Sequence, residues 1–426
     1  MKSLKYTAGA ALMSLMGTTA MACDVTVGVV LELTGPAGAF GQAGAKSIEM
    51  AFRDMNEAGG VIDGCTLVTD TRDSQSQGNV AVDQATQLVS IGEVPVVIGG
   101  IISSVSVPVL TSVTAPAGVV QVSPASSSPT LTQLGREGKT GGYFFRTITS
   151  DALQGGAAAK YARDNGLDNL AIIHVNNDFG VNLMREFTAA FEAMGGTIKS
   201  TTPYNENQPT YAPEVTSALS SEPETLYLIS YPVDGITIAR TWVSQGGPRQ
   251  YLLNDGLNSP DFIDSVGAKF LEGAYGTSSG TTQTKSTEYF YANYGEISGG
   301  FEPSAPAADR SYDAGAIVAL AIAKAGVAES DAIRDAIREV VDPAGEPIYA
   351  GPEEFKKALA LIEEGKAIKY EGVIGPVAFD AYGDISGPFR LWQIQDGKAE
   401  TTVQMSTARS CYALSAVFIW ASTLST

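Results

Sequence analysis

The sequence predicts an α/β protein of two similar lobes, each a parallel sheet flanked by helices. Three observations predict this class. Short β-branched runs alternate with helical patterns along most of the chain, the alternation breaks at one glycine-rich loop and then restarts, and no low-complexity tract interrupts either half. Apolar runs of this kind are what strands covered on both faces look like, which is the parallel arrangement.

The first half carries the strands "VTVGVV", "TLVTD", "PVVIGG" and "VVQVS". Between the first two, Gly44 to Ala58 places Ile48, Ala51, Phe52 and Met55 on one face, so this segment is a helix packed on the sheet. After "LGREGKTGGYFFRTITSD" the pattern resumes. "NLAIIHV", a helix through Phe187 and Phe191, "TIKSTTPY", a helix near Ala212 to Ser220, "TLYLIS", another helix and "QYLLND" follow in turn. Then come a helix from about Ser311 to Gly326, two shorter ones, and "GPVAFDAYGDISGPFRLWQIQDG", which reads as a β-hairpin with a Gly-Asp turn. No third domain is indicated. The ending "SCYALSAVFIWASTLST" is apolar but short and rich in Ser and Thr for a membrane span, so residues 406–426 stand apart as an atypical tail.

One junction points to function. The strand "PVVIGG" ends on Gly99 and Gly100, and the next helix opens with Ser103 and Ser104 and no lysine. Glycines let the backbone pass something closely, and a helix start offers free N–H groups and a hydroxyl to an anion. An anionic group of a ligand is expected there.

Composition limits the ligand. A chain of 426 residues suits two domains, and its formal charge of −19 becomes −21 once Lys2 and Lys5 leave with a leader. That charge excludes nucleic acid and anionic membrane surfaces as partners and favours a small molecule. The opening "MKSLKYTAGAALMSLMGTTAMAC" has lysines, an apolar run and the small-x-small site Ala20-Met21-Ala22, so residues 1–22 read as a secretory signal and the chain as periplasmic. Lipidation of Cys23 is the alternative. Cys23 and Cys65 precede strands that a right-handed βαβ unit sets side by side, which predicts a Cys23–Cys65 disulfide, with two free thiols as the alternative.

Catalytic patterns fail on their own terms. "GAFGQAGAKS" has Phe40 and Ala45 where a phosphate loop needs glycine, no G-x-S-x-G elbow occurs, and the single histidine, His174, ends a strand without a second one to share a metal or a proton. Asp70, Asp73, Asp178 and Asp255 each stand at a strand end or turn, where solvated acids are ordinary. No enzyme, cofactor or metal is expected. Ligands of open α/β sheets bind beyond the C-terminal strand ends, so a cleft between the lobes is the expected site.

The stretches "VGVVLELTGPAGAFGQAGAKSIEMAFRDMNEAGG", "VIGGIISSVSVPV", "VSPASSSPTLT", "RTITSDALQG" and "HVNNDFG", in this order, resemble the periplasmic leucine/isoleucine/valine-binding family of ABC-transporter solute receptors. The likeness runs from Asp24 to Val403. It implies two Rossmann-like lobes, 23–148 with about 276–372 and 149–275 with about 373–405, joined by a three-crossover hinge. It also implies a monomer that closes on an amino acid, branched-chain or otherwise aliphatic, and delivers it to a membrane ABC permease.

By motif, the resemblance gives Ser103, the backbone of Ala125 and the hydroxyl of Ser127 to the ligand carboxylate. It gives Tyr231 and Asp255 to the ammonium, although branched-chain binders carry glutamate where Asp255 stands. Phe40 and Phe179 fall on the side-chain wall. Taken without the resemblance, Ser103 is a helix cap, Asp255 a turn residue, and the two rings lobe packing. Thr149, Asp151 and Gln154 are assigned to the crossover and helix start. The same fold also serves amides, aromatic or organic acids, and ligand-sensing modules.

Overall fold

The computed structural model describes residues 23–405; residues 1–22, expected to be a signal, and the tail 406–426 lie outside the described residues. The first lobe runs β1 (Asp24–Leu31), α1 (Gly38–Ala58), β2 (Thr66–Asp73), α2 (Gly78–Ser90), β3 (Val96–Gly99), α3 (Ser103–Val109), α4 (Ala115–Ala117), β4 (Val120–Ser123), α5 (Pro129–Arg136) and β5 (Phe144–Arg146). α3 continues through a wider helical stretch, Leu110–Thr114, into α4. The five strands pair in parallel in the order β2-β1-β3-β4-β5.

The second lobe runs α6 (Asp151–Asp164), β6 (Leu170–Val175), α7 (Asp178–Ala193), β7 (Ile198–Tyr204), α8 (Ala212–Leu219), β8 (Thr225–Ile229), α9 (Pro232–Ser244), β9 (Tyr251–Leu253), α10 (Pro260–Val266), α11 (Ala268–Leu271) and β10 (Tyr275–Ser279). The chain returns to the first lobe as α12 (Lys285–Asn293), α13 (Ala308–Ala325), α14 (Ser330–Glu339), β11 (Glu346–Ile348), α15 (Pro352–Glu363) and β12 (Ile368–Tyr370). It ends in the second sheet with β13 (Phe389–Gln395) and β14 (Lys398–Met405), giving the order β14-β13-β10-β9-β8-β6-β7. β13 runs antiparallel to both of its neighbours.

The predicted helix faces hold: Ile48, Ala51, Phe52 and Met55 of α1 are buried, and α13 packs on them. Small residues permit that approach, since a Cβ on Gly315 would sit 3.0 Å from the Cβ of Ala51. β1 and β2 start together, with the Thr66 N–H donating to the Cys23 carbonyl at 2.8 Å, and the Cys23–Cys65 disulfide closes that edge.

The expected hairpin is displaced. Around Gly383 only an isolated bridge forms, Phe379 to Ile385, whereas the true hairpin is β13–β14, turning on Asp396-Gly397. Both turn residues have positive φ, 49° and 76°, as a two-residue hairpin turn matching strand twist requires.

The second and third passages between lobes also come later than 276 and 373. β10 stays in the second sheet to Ser279, and residues near 383 remain with the first lobe: Arg146 Nε donates to Asp384 at 2.7 Å and its N–H to the Gly383 carbonyl at 3.0 Å. The three passages are tied together. Thr149 and Ser279 share a hydroxyl hydrogen bond of 2.5 Å, and the Gly280 N–H donates to the Pro388 carbonyl at 2.7 Å.

Candidate ligand-binding site

The first-lobe wall begins where β1 and β3 end. Gly99 passes so close to β1 that a Cβ there would lie 1.9 Å from the Val30 carbonyl oxygen, and one on Gly100 would lie 2.8 Å from Glu32 Oε1. The glycines therefore serve this internal crossing rather than a ligand. The N–H groups just after them are also taken: Ile101 donates to Glu32 Oε2 at 2.9 Å and Ile102 to Oε1 at 3.2 Å. Burial pushes the Glu32 carboxyl up to about 7 against those two hydrogen bonds. The N–H groups at this junction are thus taken by one of the chain's own carboxyls, and the cleft-facing group is Ser103, the first residue of α3.

Beside it lies the loop 124–128. Ser106, Ser123 and Ser126 bind one another and the Gly100 carbonyl, with Ser126 Oγ to Ser106 Oγ at 2.7 Å and Ser123 Oγ to Gly100 O at 2.7 Å. Buried Arg146 takes the carbonyls of Ser126 and Ser128, each at 3.0 Å. Ser128 N–H donates to Ser103 Oγ at 3.1 Å, which fixes that hydroxyl oxygen. The backbone N–H groups of Ala125 and Ser127 donate to no described residue. This wall therefore presents donors, without a formal charge.

The second-lobe wall is acidic. Asp255 opens a short helical turn after β9, and Gln154 Nε2 and Asn254 Nδ2 approach its Oδ1 at 3.4 and 3.3 Å. Asp151, the first residue of α6, lies behind it, fully buried, accepting from Ser127 Oγ at 2.8 Å. Asp151 Oδ1, Gln154 Oε1 and the Tyr227 hydroxyl, all buried, have no partner among the described residues. Burial, and then the charge of Asp255, holds the Asp151 carboxyl well above the usual carboxylate range; burial raises Asp255 as well. Tyr231 stands nearby, its ring stacked on Phe179 with centroids 5.6 Å apart and its hydroxyl accepting from Asn177 at 3.3 Å.

The walls face each other across a cleft that is open to solvent. A family profile described as periplasmic binding protein matches residues 24–399. The chain belongs to the periplasmic binding protein family. Its curated relatives include proteins named for leucine, isoleucine and valine binding. Leu/Ile/Val-binding protein homolog 3 of Brucella melitensis is 28% identical over 403 residues, 93% of this chain and 98% of that one. The branched-chain amino acid substrate-binding protein LivJ of Streptococcus pneumoniae, solved with isoleucine, superposes with a TM-score of 0.72 at 21% identity, covering 89% of this chain and 99% of that one. A solute-binding protein of R. palustris, solved with 4-hydroxybenzoate, gives 0.71 at 18% identity, covering 90% and 96%. At these identities the structures show the fold.

In this periplasmic binding protein all seven predicted site residues, Phe40, Ser103, Ala125, Ser127, Phe179, Tyr231 and Asp255, line the one cleft. The hydroxyl of Ser127 differs from its expected role, because its proton is given to Asp151; the N–H of Ser127 is what remains to donate. Asp151 and Gln154, assigned to a helix start, prove to back Asp255. The signal for them was the acid itself, one residue after the crossover in "RTITSDALQG". The rejected acids lie apart: Asp70 pairs with Arg72 at 2.6 Å, and Asp73 accepts the Leu33 N–H at 3.0 Å. His174 is buried, with Nδ1 3.0 Å from the Val175 carbonyl oxygen, and burial lowers its pKa.

Proposed function

We propose that this chain is an exported monomeric receptor that holds a free α-amino acid across the cleft and delivers it to an ABC permease, breaking no bond. One observation carries the reading: an uncharged wall of donors faces two carboxylates, buried Asp151 and half-buried Asp255, neither of which is ion-paired with a described residue. An α-amino acid is the complementary zwitterion, its carboxylate on Ser103, Ala125 N–H and Ser127 N–H, its ammonium on Asp255 with Asp151 behind. The rings of Phe40 and Phe179 suit an aliphatic stem, and the names of the relatives favour the branched-chain acids. Closure follows from contacts made to both lobes at once. The disulfide at Cys23 favours an unanchored protein over one lipidated on that sulfur.

A second reading is an aromatic or organic acid without an amine, favoured by the 4-hydroxybenzoate complex of a neighbour. A thermal-shift panel on protein unfolded and refolded to strip ligand separates the two, since a ligand of the folded state must raise the melting temperature. Amino acids are expected to raise it. A response confined to benzoates or to acids lacking an amine removes the ammonium site and this proposal with it.

A further inference from the structure

The cleft has a third surface, a charged one, that neither wall explains. Its hinge side is lined by Ser278 and Ser279 of β10, Arg390 of β13, and Asp309 and Arg310 at the start of α13. Elsewhere the buried or half-buried arginines have anions or carbonyls: Arg146 has Asp384 at 2.7 Å, Arg163 has Asp168 at 2.8 Å, Arg53 has Asp54 at 3.2 Å, and Arg338, without an ion pair, donates to the Asp380 carbonyl at 2.5 Å. Arg310, buried, pairs through Nη1 with both oxygens of Asp309, at 2.8 and 2.9 Å, and its Nε has no partner among the described residues.

Arg390 is different. It makes no ion pair with a described residue, and its buried Nε has no hydrogen-bond partner there either. Strand alternation sends Phe389 and Leu391 into a core cluster with Met405, leaving Arg390 on the cleft face, in register opposite Ser278. Desolvation lowers its pKa, and so does the neighbouring charge of Arg310, while Asp309 and Tyr291 offset this in part. A half-buried guanidinium set against another and given no anion is costly, and packing alone would be met as well by a neutral side chain.

Of the four charged groups lining the cleft, Asp309 is taken by Arg310 and Asp255 is assigned to the ammonium, which leaves Arg390 without a counter-charge. We propose that the ligand supplies it: a second anionic group, beyond the α-carboxylate, sits on Arg390 with Arg310 beside it, so the ligand is an acidic α-amino acid. This inference rests on the amino-acid reading of the cleft and replaces only its branched-chain version. A guanidinium forks onto a carboxylate through two parallel N–H groups, which an amide cannot accept equally.

The test is calorimetric titration of the stripped, refolded protein with L-aspartate and L-glutamate, their amides L-asparagine and L-glutamine, and L-leucine, with Arg390→Gln alongside. The better acid is expected to bind about tenfold or more tightly than its amide, the usual worth of a hydrogen bond to a charged group, and Arg390→Gln is expected to abolish that preference. L-leucine or an amide binding as tightly as either acid overturns the acidic side chain and leaves the amino-acid reading in place. No binding by any of the five overturns both. If Arg390→Gln does not fold, the acid-to-amide ratio of the wild-type protein decides alone.

Discussion

The serine loop of the first wall and the acid cluster of the second handle their polar atoms in opposite ways. On the first lobe, serines 106, 123 and 126 satisfy one another, Arg146 takes two loop carbonyls, and even the N–H pair at Ile101 and Ile102 is filled by Glu32. On the second, Asp151 Oδ1, Gln154 Oε1 and the Tyr227 hydroxyl are buried without partners. A satisfied network is rigid and fixes the few donors it leaves outward; an unsatisfied one is high in energy and is relieved by the right cation. On the proposed reading, the first wall sets where the ligand sits, and the second sets how much its ammonium is worth.

The sharpest way to break this contrast is Asp255→Ala. Removing one partner of a buried charged contact is expected to cost about 2 to 5 kcal/mol of affinity for whichever amino acid the thermal-shift panel identifies. Calorimetric titration of wild type and variant reads it. An unchanged curve removes Asp255 from the site and returns it to a turn residue.

Acidity sharpens the same contrast. Asp151 and Asp255 both have carboxyls raised in the free protein, by burial first and, for Asp151, by the facing charge. A raised acid means that the folded, empty protein holds protons the unfolded chain has lost, so its contribution to stability falls as pH rises above the ordinary carboxylate value of about 4. Glu32, raised to about 7 by burial, adds to this fall up to neutrality. A ligand ammonium favours the ionised pair, so binding expels protons and tightens with rising pH, at most about tenfold per unit for each proton. Calorimetry in buffers of different ionisation heat, between about pH 5 and 7, measures the release directly. A binding enthalpy independent of buffer there shows that the pair is already ionised and ends the argument from unsatisfied acids.

How much of this was legible in the sequence follows the same division. The alternating β-branched runs disclosed the sheets, and "VIGGIISS" and "SPASSS" disclosed the first wall, because that wall is made of consecutive residues. β5 was hidden, being three residues inside a glycine-rich loop. The glycine pair was legible as a close approach but not as an approach to β1, since the crossing partner is 69 residues distant, as the Glu32–Ile101 contact shows. Asp151 resembled any acid at a helix start, and only the fold brings it behind Asp255. Arg310 and Arg390 carried no local signal at all: they meet because α13 and the antiparallel β13 return to the hinge, and the hairpin that places Arg390 was expected at a different turn.

The smallest effect tests whether the contrast between walls extends to closure. Asn182, on α7 of the second lobe, donates through Nδ2 to Ser128 Oγ and Thr130 Oγ1 of the first, each at 3.2 Å. These bonds join the two lobes through residues that do not line the cleft, so they hold the lobes in the described arrangement. Asn182→Ala is expected to weaken amino-acid binding by about 1 kcal/mol, the net worth of such hydrogen bonds, with the loss appearing in the dissociation rate. The variant keeps both walls intact, so its proton release per ligand bound should equal that of the wild type. A change in that number would mean Asn182 acts through the acid pair, and that the lobes cannot be treated as two separately built surfaces.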